Sequence, residues 1–145
     1  MLVKETEPHE LDEDVPYREL VGYLTYLALA TRPDISFAAS CLGQFNNSYG
    51  KAHCWVAAKR VLRYLKGTLD LGLVYSPDVK PLKGYVDSDW GNCPDDRRSY
   101  SGYVFALSGS PISWDARKQR TVALSSTEAE YMALTDPDNI SCDLI

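Results

Sequence analysis

The feature that most limits what this chain can become is a change of hydrophobic period after Gly67. Before it, apolar residues recur every three or four positions, the spacing of helices with one buried face. After it they alternate, the spacing of strands with one buried face. Leu20, Leu24, Leu27 and Thr31 share one helical face, widened by Val21 and Ala28, and Pro33 ends that helix. Asp34 is placed to cap a second helix with Ile35, Ala38, Leu42 and Phe45 inward, and Asn46-Asn47-Ser48-Tyr49-Gly50 reads as a turn. A third helix follows from Ala52 to Lys66. Its stripe is Trp55, Ala58, Leu62 and Leu65, its basic residues lie mostly on other faces, and Gly67 serves as C-terminal cap.

Beyond Gly67, Leu71–Tyr75, Lys83–Trp90, Gly102–Leu107 and Ile112–Ala116 read as strands, separated by Ser-Pro, Pro-Asp-Asp and Ser-Gly-Ser-Pro turns. Short connections between successive strands predict an antiparallel meander. Ser125-Ser126-Thr127-Glu128 has the form of a capping box, opening a helix through Leu134 before the turn cluster Thr135-Asp136-Pro137-Asp138-Asn139. The fold class is therefore α+β: a helical N-terminal subdomain, then a three-stranded antiparallel meander with one short helix. Three segments follow from this reading. Residues 1–15 form an acidic leader expected to be disordered, 16–70 the helical part, and 71–145 the sheet-bearing part.

Composition excludes several classes. Hydrophobic residues make up 45% of 145, a globular value. The net charge of −5 argues against a general nucleic-acid binder, which needs a basic surface. Local basic groups remain: Lys59, Arg60, Arg63 and Lys66; Arg97 and Arg98; Arg117, Lys118 and Arg120. Cysteines 41, 54, 93 and 142 are dispersed without a C-x-x-C pair, so they read as unpaired thiols and not as a zinc site. The N-terminus shows no apolar signal-peptide core, and no apolar run reaches the length of a membrane span. As written, the chain is expected to be soluble and intracellular.

The chemically suggestive residues are Asp87 and Asp89, on one face of a strand, and Glu130, on the helix that follows the sheet. Three carboxylates so placed suit Mg²⁺ or Mn²⁺, and two such ions can drive phosphodiester hydrolysis. On spacing alone, acids at strand ends are more often solvated surface. Glu128 is accounted for by the capping box. Glu130, about 200° further round the helix, has no capping role.

Longer motifs are more specific. Tyr17-Arg-Glu-Leu-Val-Gly-Tyr-Leu-Thr-Tyr-Leu, Thr31-Arg-Pro-Asp-Ile-Ser-Phe-Ala and Ala57-Ala-Lys-Arg-Val-Leu-Arg-Tyr-Leu-Lys-Gly-Thr resemble the end of copia-type reverse transcriptase. Asp87-Ser-Asp-Trp, Asp96-Arg-Arg-Ser, Ser101-Gly-Tyr-Val-Phe, Ile112-Ser-Trp and Thr121-Val-Ala-Leu-Ser-Ser-Thr-Glu-Ala-Glu-Tyr-Met-Ala-Leu resemble that family's ribonuclease H domain. The resemblance, to a copia-type retrotransposon Pol polyprotein, runs in family order from Val15 to Leu134. It implies a ribonuclease H-like fold and, in the parent family, Mg²⁺-dependent cleavage of RNA in an RNA–DNA hybrid. Asp87 matches the first-strand aspartate and Glu130 the helix glutamate, while Asp89 is a neighbour of the site. The polymerase aspartates lie upstream in the parent, so DNA synthesis is not expected.

The chain also departs from the family pattern. The third ligand matches Asp143 in Ile140-Ser-Cys-Asp143, but about two dozen intervening residues are missing after Leu134, and a fourth carboxylate has no match. The resemblance then implies a truncated domain with Asp87 and Glu130 as vestigial ligands, no bound Mg²⁺ and little or no hydrolysis, the alternative being a residual Mg²⁺-dependent ribonuclease H. A second expectation comes from Arg60-Val61-Leu62-Arg63, which fits the R-x-L-R pattern of secreted oomycete effectors. Copia-like fragments resemble proteins of that class, which implies secretion, delivery to the host cytoplasm or nucleus, host proteins as partners and a role in virulence by suppressing defence. The Glu-Glu-Arg companion motif is absent, and within the copia resemblance these four residues belong to the third helix.

Overall fold

A computed structural model describes residues 15–47, 52–78 and 80–135. The leader up to Asp14, most of the Asn46–Gly50 turn and Asp143 lie outside the described residues. The chain divides into two compact units, Met1–Gly72 and Leu73–Ile145.

The first unit is helical. Helix α1 spans Tyr17–Ala30, a 3₁₀ turn spans Pro33–Ile35, α2 spans Ser36–Gly43 and α3 spans Ala52–Gly67. One apolar cluster holds them together: Tyr17, Val21, Leu24 and Ala28 from α1, Ile35, Ala39, Leu42 and Phe45 from the α2 region, and Cys54 and Ala58 from α3. The inward faces are turned slightly from those read in the sequence. Ala39 is buried more fully than Ala38, and Thr31 is exposed. In α3 the inward line runs Cys54–Ala58–Val61–Leu65, whereas Leu62 is 41% exposed. Small residues on the inner line let α3 lie close to its neighbours, and a stripe chosen by side-chain size misses that. The Tyr17 phenol donates to the Leu42 carbonyl at 2.9 Å. Burial, with the nearby Cys54 thiol, pushes its ionisation well above the usual range.

Asp34 does not cap α2, which begins without a side-chain cap hydrogen bond. Its carboxylate instead takes Arg32, with Nη2 to Oδ2 at 2.7 Å and Nε to Oδ1 at 2.9 Å. Arg32 is buried and also donates to the Thr68 carbonyl at 3.0 Å and the Thr68 hydroxyl at 2.6 Å. One guanidinium thus fastens the α1–α2 connection to the end of α3, with the Tyr64 ring 5.7 Å away. Planar guanidinium geometry suits this use, because several donors are satisfied at once. The Arg32 hydrogen bond holds the Asp34 carboxyl below its ordinary range.

The second unit is a meander of β1 (Lys83–Ser88), β2 (Tyr100–Leu107) and β3 (Ser110–Lys118), paired antiparallel in chain order and followed by α4 (Ser126–Thr135). The α+β class is the one the sequence predicts. One expected strand is absent: Leu71–Tyr75 forms no ladder. Its neighbourhood touches the β2–β3 hairpin only at points, through the Ser76 N–H on the Ser108 carbonyl and the Tyr75 hydroxyl on the Pro111 carbonyl. The hairpin itself turns through Ser108 and Gly109 at φ 51° and 87°, the positive values a two-residue turn needs to match strand twist. Pro111 is accommodated where the β2–β3 register shifts between Phe105 and Ala106. Gly84 pairs with Phe105, and a Cβ there would lie 2.7 Å from the Phe105 ring, so the ring occupies the space that glycine leaves.

Helix α4 packs on β1 and β2, burying Ala129 and Ala133. Among the described residues the remaining buried positions of this unit are small or polar: Gly91, Cys93, Ser99, Ser101, Ser110, Gln119 and Ala123. Tyr85, Trp90, Val122, Leu124 and Tyr131 are exposed. Its interior therefore depends on hydrogen bonds more than that of the helical unit does.

Candidate functional site at the end of the meander

Strand alternation sends the side chains of β1 to opposite faces. Tyr85 and Asp87 are exposed, while Val86 and Ser88 are half-buried. Asp87 sits opposite Gly102 near the end of the strand. Asp89 lies just past the strand and is built into the sheet. Its N–H donates to the Tyr100 carbonyl at 3.0 Å, and its Oδ1 accepts the Tyr100 N–H at 2.6 Å. The carboxylate takes the place of a backbone acceptor and closes the β1–β2 ladder.

The connection from Trp90 to Ser99 is similarly fastened. The Ser99 hydroxyl accepts the Gly91 N–H at 3.0 Å, Cys93 and Arg98 are joined through their backbones, and the Asp96 carboxylate accepts the Arg98 N–H. Gly91 and Arg97 both have positive φ, and the backbone of Arg97 leaves room for no more than a hydrogen at Gly91 without crowding. Lys118, at the end of β3, donates to Asp96 at 2.9 Å and to the buried Cys93 sulfur at 2.9 Å. Partial burial acts to raise the Asp96 pKa, but the Lys118 and Arg98 hydrogen bonds prevail and bring it down to about 2.

Glu128 is the cap the sequence predicts. Its N–H donates to the Ser125 hydroxyl at 3.1 Å, and its carboxylate reaches back to the Leu124 N–H at 2.6 Å. Glu130 is exposed on the same helix, one residue from the buried Ala129. Between sheet and helix lies Gln119, which sequence reading missed. Its amide donates to the Ser101 hydroxyl at 2.8 Å and to the Ala129 carbonyl at 2.9 Å, linking β2 to α4. Its position just past an alternating strand gave no amphipathic signal.

Among the described residues, no group of three or more His, Cys, Asp or Glu side chains is placed to hold a metal ion. Asp87 and Glu130 are both solvent-facing, and Asp143 lies outside the described residues. Arg60, Val61, Leu62 and Arg63 lie within α3, with both arginines exposed and Val61 packed against the core. No helix among the described residues is long and apolar enough to cross a membrane.

These features define an α+β chain in which a helical unit precedes a short meander with acidic motifs at one end. Related sequences say which family that is. The chain is 46% identical over 122 residues to the Retrovirus-related Pol polyprotein from transposon TNT 1-94 of Nicotiana tabacum, covering 84% of this chain and 9% of that protein. It is 44% identical over 128 residues to the Pol polyprotein from transposon RE2 of Arabidopsis thaliana, again 9% of the longer chain. It is also 49% identical over 125 residues to Secreted RxLR effector protein 161 of Plasmopara viticola, covering 86% of this chain and 87% of that one. The chain belongs to the copia-type retrotransposon Pol family and spans 9% of the length of each of these Pol polyproteins. No protein-family model and no solved structure matches it.

The Asp96 contacts give a pH test. A carboxyl whose folded pKa is depressed contributes stability above its ordinary pKa and loses that contribution as pH falls toward the folded value. Asp96→Asn is expected to lower the melting temperature at pH 7, and the gap from the parent chain is expected to narrow as pH falls from about 5 to about 3. Thermal melts across that range check it; a gap independent of pH contradicts it.

Proposed function

We propose that this Pol-derived chain keeps the framework of a ribonuclease H-type domain but hydrolyses RNA–DNA hybrids little or not at all. The observation that carries the reading is the use made of its acids. Asp89 and Glu128 are hydrogen-bonded into the sheet and the helix cap, so they serve architecture. Asp87 and Glu130, the motif residues left for chemistry, face solvent. Two-metal hydrolysis needs carboxylates that converge on the ions and neutralise their charge together. The order of the motifs and the meander-then-helix arrangement support the ribonuclease H-type framework. Incubated with an RNA–DNA hybrid and Mg²⁺ or Mn²⁺, the chain is expected to cleave no faster than its Asp87→Asn variant. Mg²⁺-dependent cleavage that Asp87→Asn abolishes would overturn the reading.

A second reading is favoured by the Plasmopara relative, whose extent nearly equals that of this chain. On this reading the chain is a secreted effector acting on host proteins inside plant cells, with no active site required. Arg60 and Arg63 are accessible for recognition, but on a helix surface and not in an extended segment. Expressed with a tag in leaf cells, the chain is then expected to suppress elicitor-triggered cell death. Unchanged cell death, at matched protein levels, counts against this reading.

A further inference from the structure

Helix α3 concentrates positive charge on one side. It contains Lys59, Arg60, Arg63 and Lys66 and no acidic residue between Ala52 and Gly67. At 100° per residue these four cover the side opposite the inward line of Cys54, Ala58, Val61 and Leu65. Arg60, Arg63 and Lys66 are exposed, and the Lys59 ammonium lies 5.4 Å from the centre of the Trp55 ring. None of the four makes an ion pair among the described residues. Such a face in a chain of net charge −5 calls for a polyanionic occupant.

The chain supplies one. Six carboxylates, Glu5, Glu7, Glu10, Asp12, Glu13 and Asp14, fall within ten residues immediately before α1. That segment enters the fold at Val15, which packs against the helical core, and at Tyr17, whose phenol lies near Cys54 in the first turn of α3. The two charged segments are therefore tethered at the same end. Ten residues reach about 33 Å when extended, whereas Lys59 to Lys66 spans about 11 Å along the helix. A tether this short gives an effective concentration on the order of millimolar, well above that of an untethered competitor.

We propose that the acidic segment Glu5–Asp14 docks along the cationic face of α3 and occupies it against other polyanions. The inference is independent of both functional readings. It assigns the leader a partner within the chain.

Zero-length carbodiimide cross-linking of the full chain, read by mass spectrometry, tests it. Amide links from Glu5–Asp14 to Lys59 or Lys66 are expected to exceed links from the same segment to Lys80 and Lys83. Their yield is expected to fall roughly fivefold or more in about 1 M NaCl, where the screening length is about 3 Å. Arg60→Gln with Arg63→Gln is expected to reduce them as well and, since both side chains are exposed, to leave the fold intact. An equal mixture of light and heavy isotope-labelled chains separates links within a chain from links between chains. Links spread evenly over all four lysines, or links to α3 found only between light and heavy chains, would overturn the proposal. The latter result would assign the face to a second copy.

Discussion

The hydrogen bond from the Tyr100 N–H to the Asp89 carboxylate, at 2.6 Å, governs how the second unit is to be understood. It turns one acid of the Asp87-Ser-Asp-Trp motif into a backbone substitute and sets where β1 and β2 part. The Trp90–Ser99 connection can then fold back through Gly91, Cys93 and Arg98, and Lys118 can reach Asp96. A side-chain acceptor at a ladder's end is worth more than its distance suggests, because a buried N–H without a partner costs about 1–3 kcal/mol. Glu128 does the same for α4. In both places an acidic residue that looks chemical in sequence satisfies a backbone donor.

The two units reach compactness by different means. In the first, Tyr17, Val21, Leu24 and Ile35 are almost fully buried in one apolar cluster, and Arg32 supplies the main polar fastening. In the second, Ser101, Gln119 and the alanines of α4 join sheet to helix. Apolar burial contributes about 25 cal/mol per Å², so an interior of small side chains gains less from it and relies on directional bonds.

Much of this was legible before the structure. Helices α1 to α3, the three-stranded meander, the Glu128 cap and the Ser-Gly turn follow from periodicity and turn chemistry. What failed did so for physical reasons. The Leu71–Tyr75 segment alternates like a strand but has no ladder partner, and pairing, not pattern, makes a strand. Asp34 resembles a helix cap, yet a neighbouring guanidinium outbids a backbone N–H as its partner. Leu62 yields its expected inward place to Val61 because the close approach of α3 is set by Cys54 and Ala58. Gln119 and the Cys93–Lys118–Asp96 contacts join residues far apart in sequence, so no local rule could reveal them. Of the acidic motif, the sequence separates Glu128 from Glu130 by helix geometry, but it cannot separate the structural Asp89 from the solvent-facing Asp87.

Equilibrium urea unfolding of two variants distinguishes the structural Asp89 from the solvent-facing Asp87. Asp89→Ala removes the acceptor of the Tyr100 N–H and is expected to lower stability by about 1–3 kcal/mol, whereas Asp87→Ala at an exposed position is expected to stay within about 0.5 kcal/mol of the parent. Equal midpoints for the two variants, or a larger loss for Asp87→Ala, would contradict that distinction.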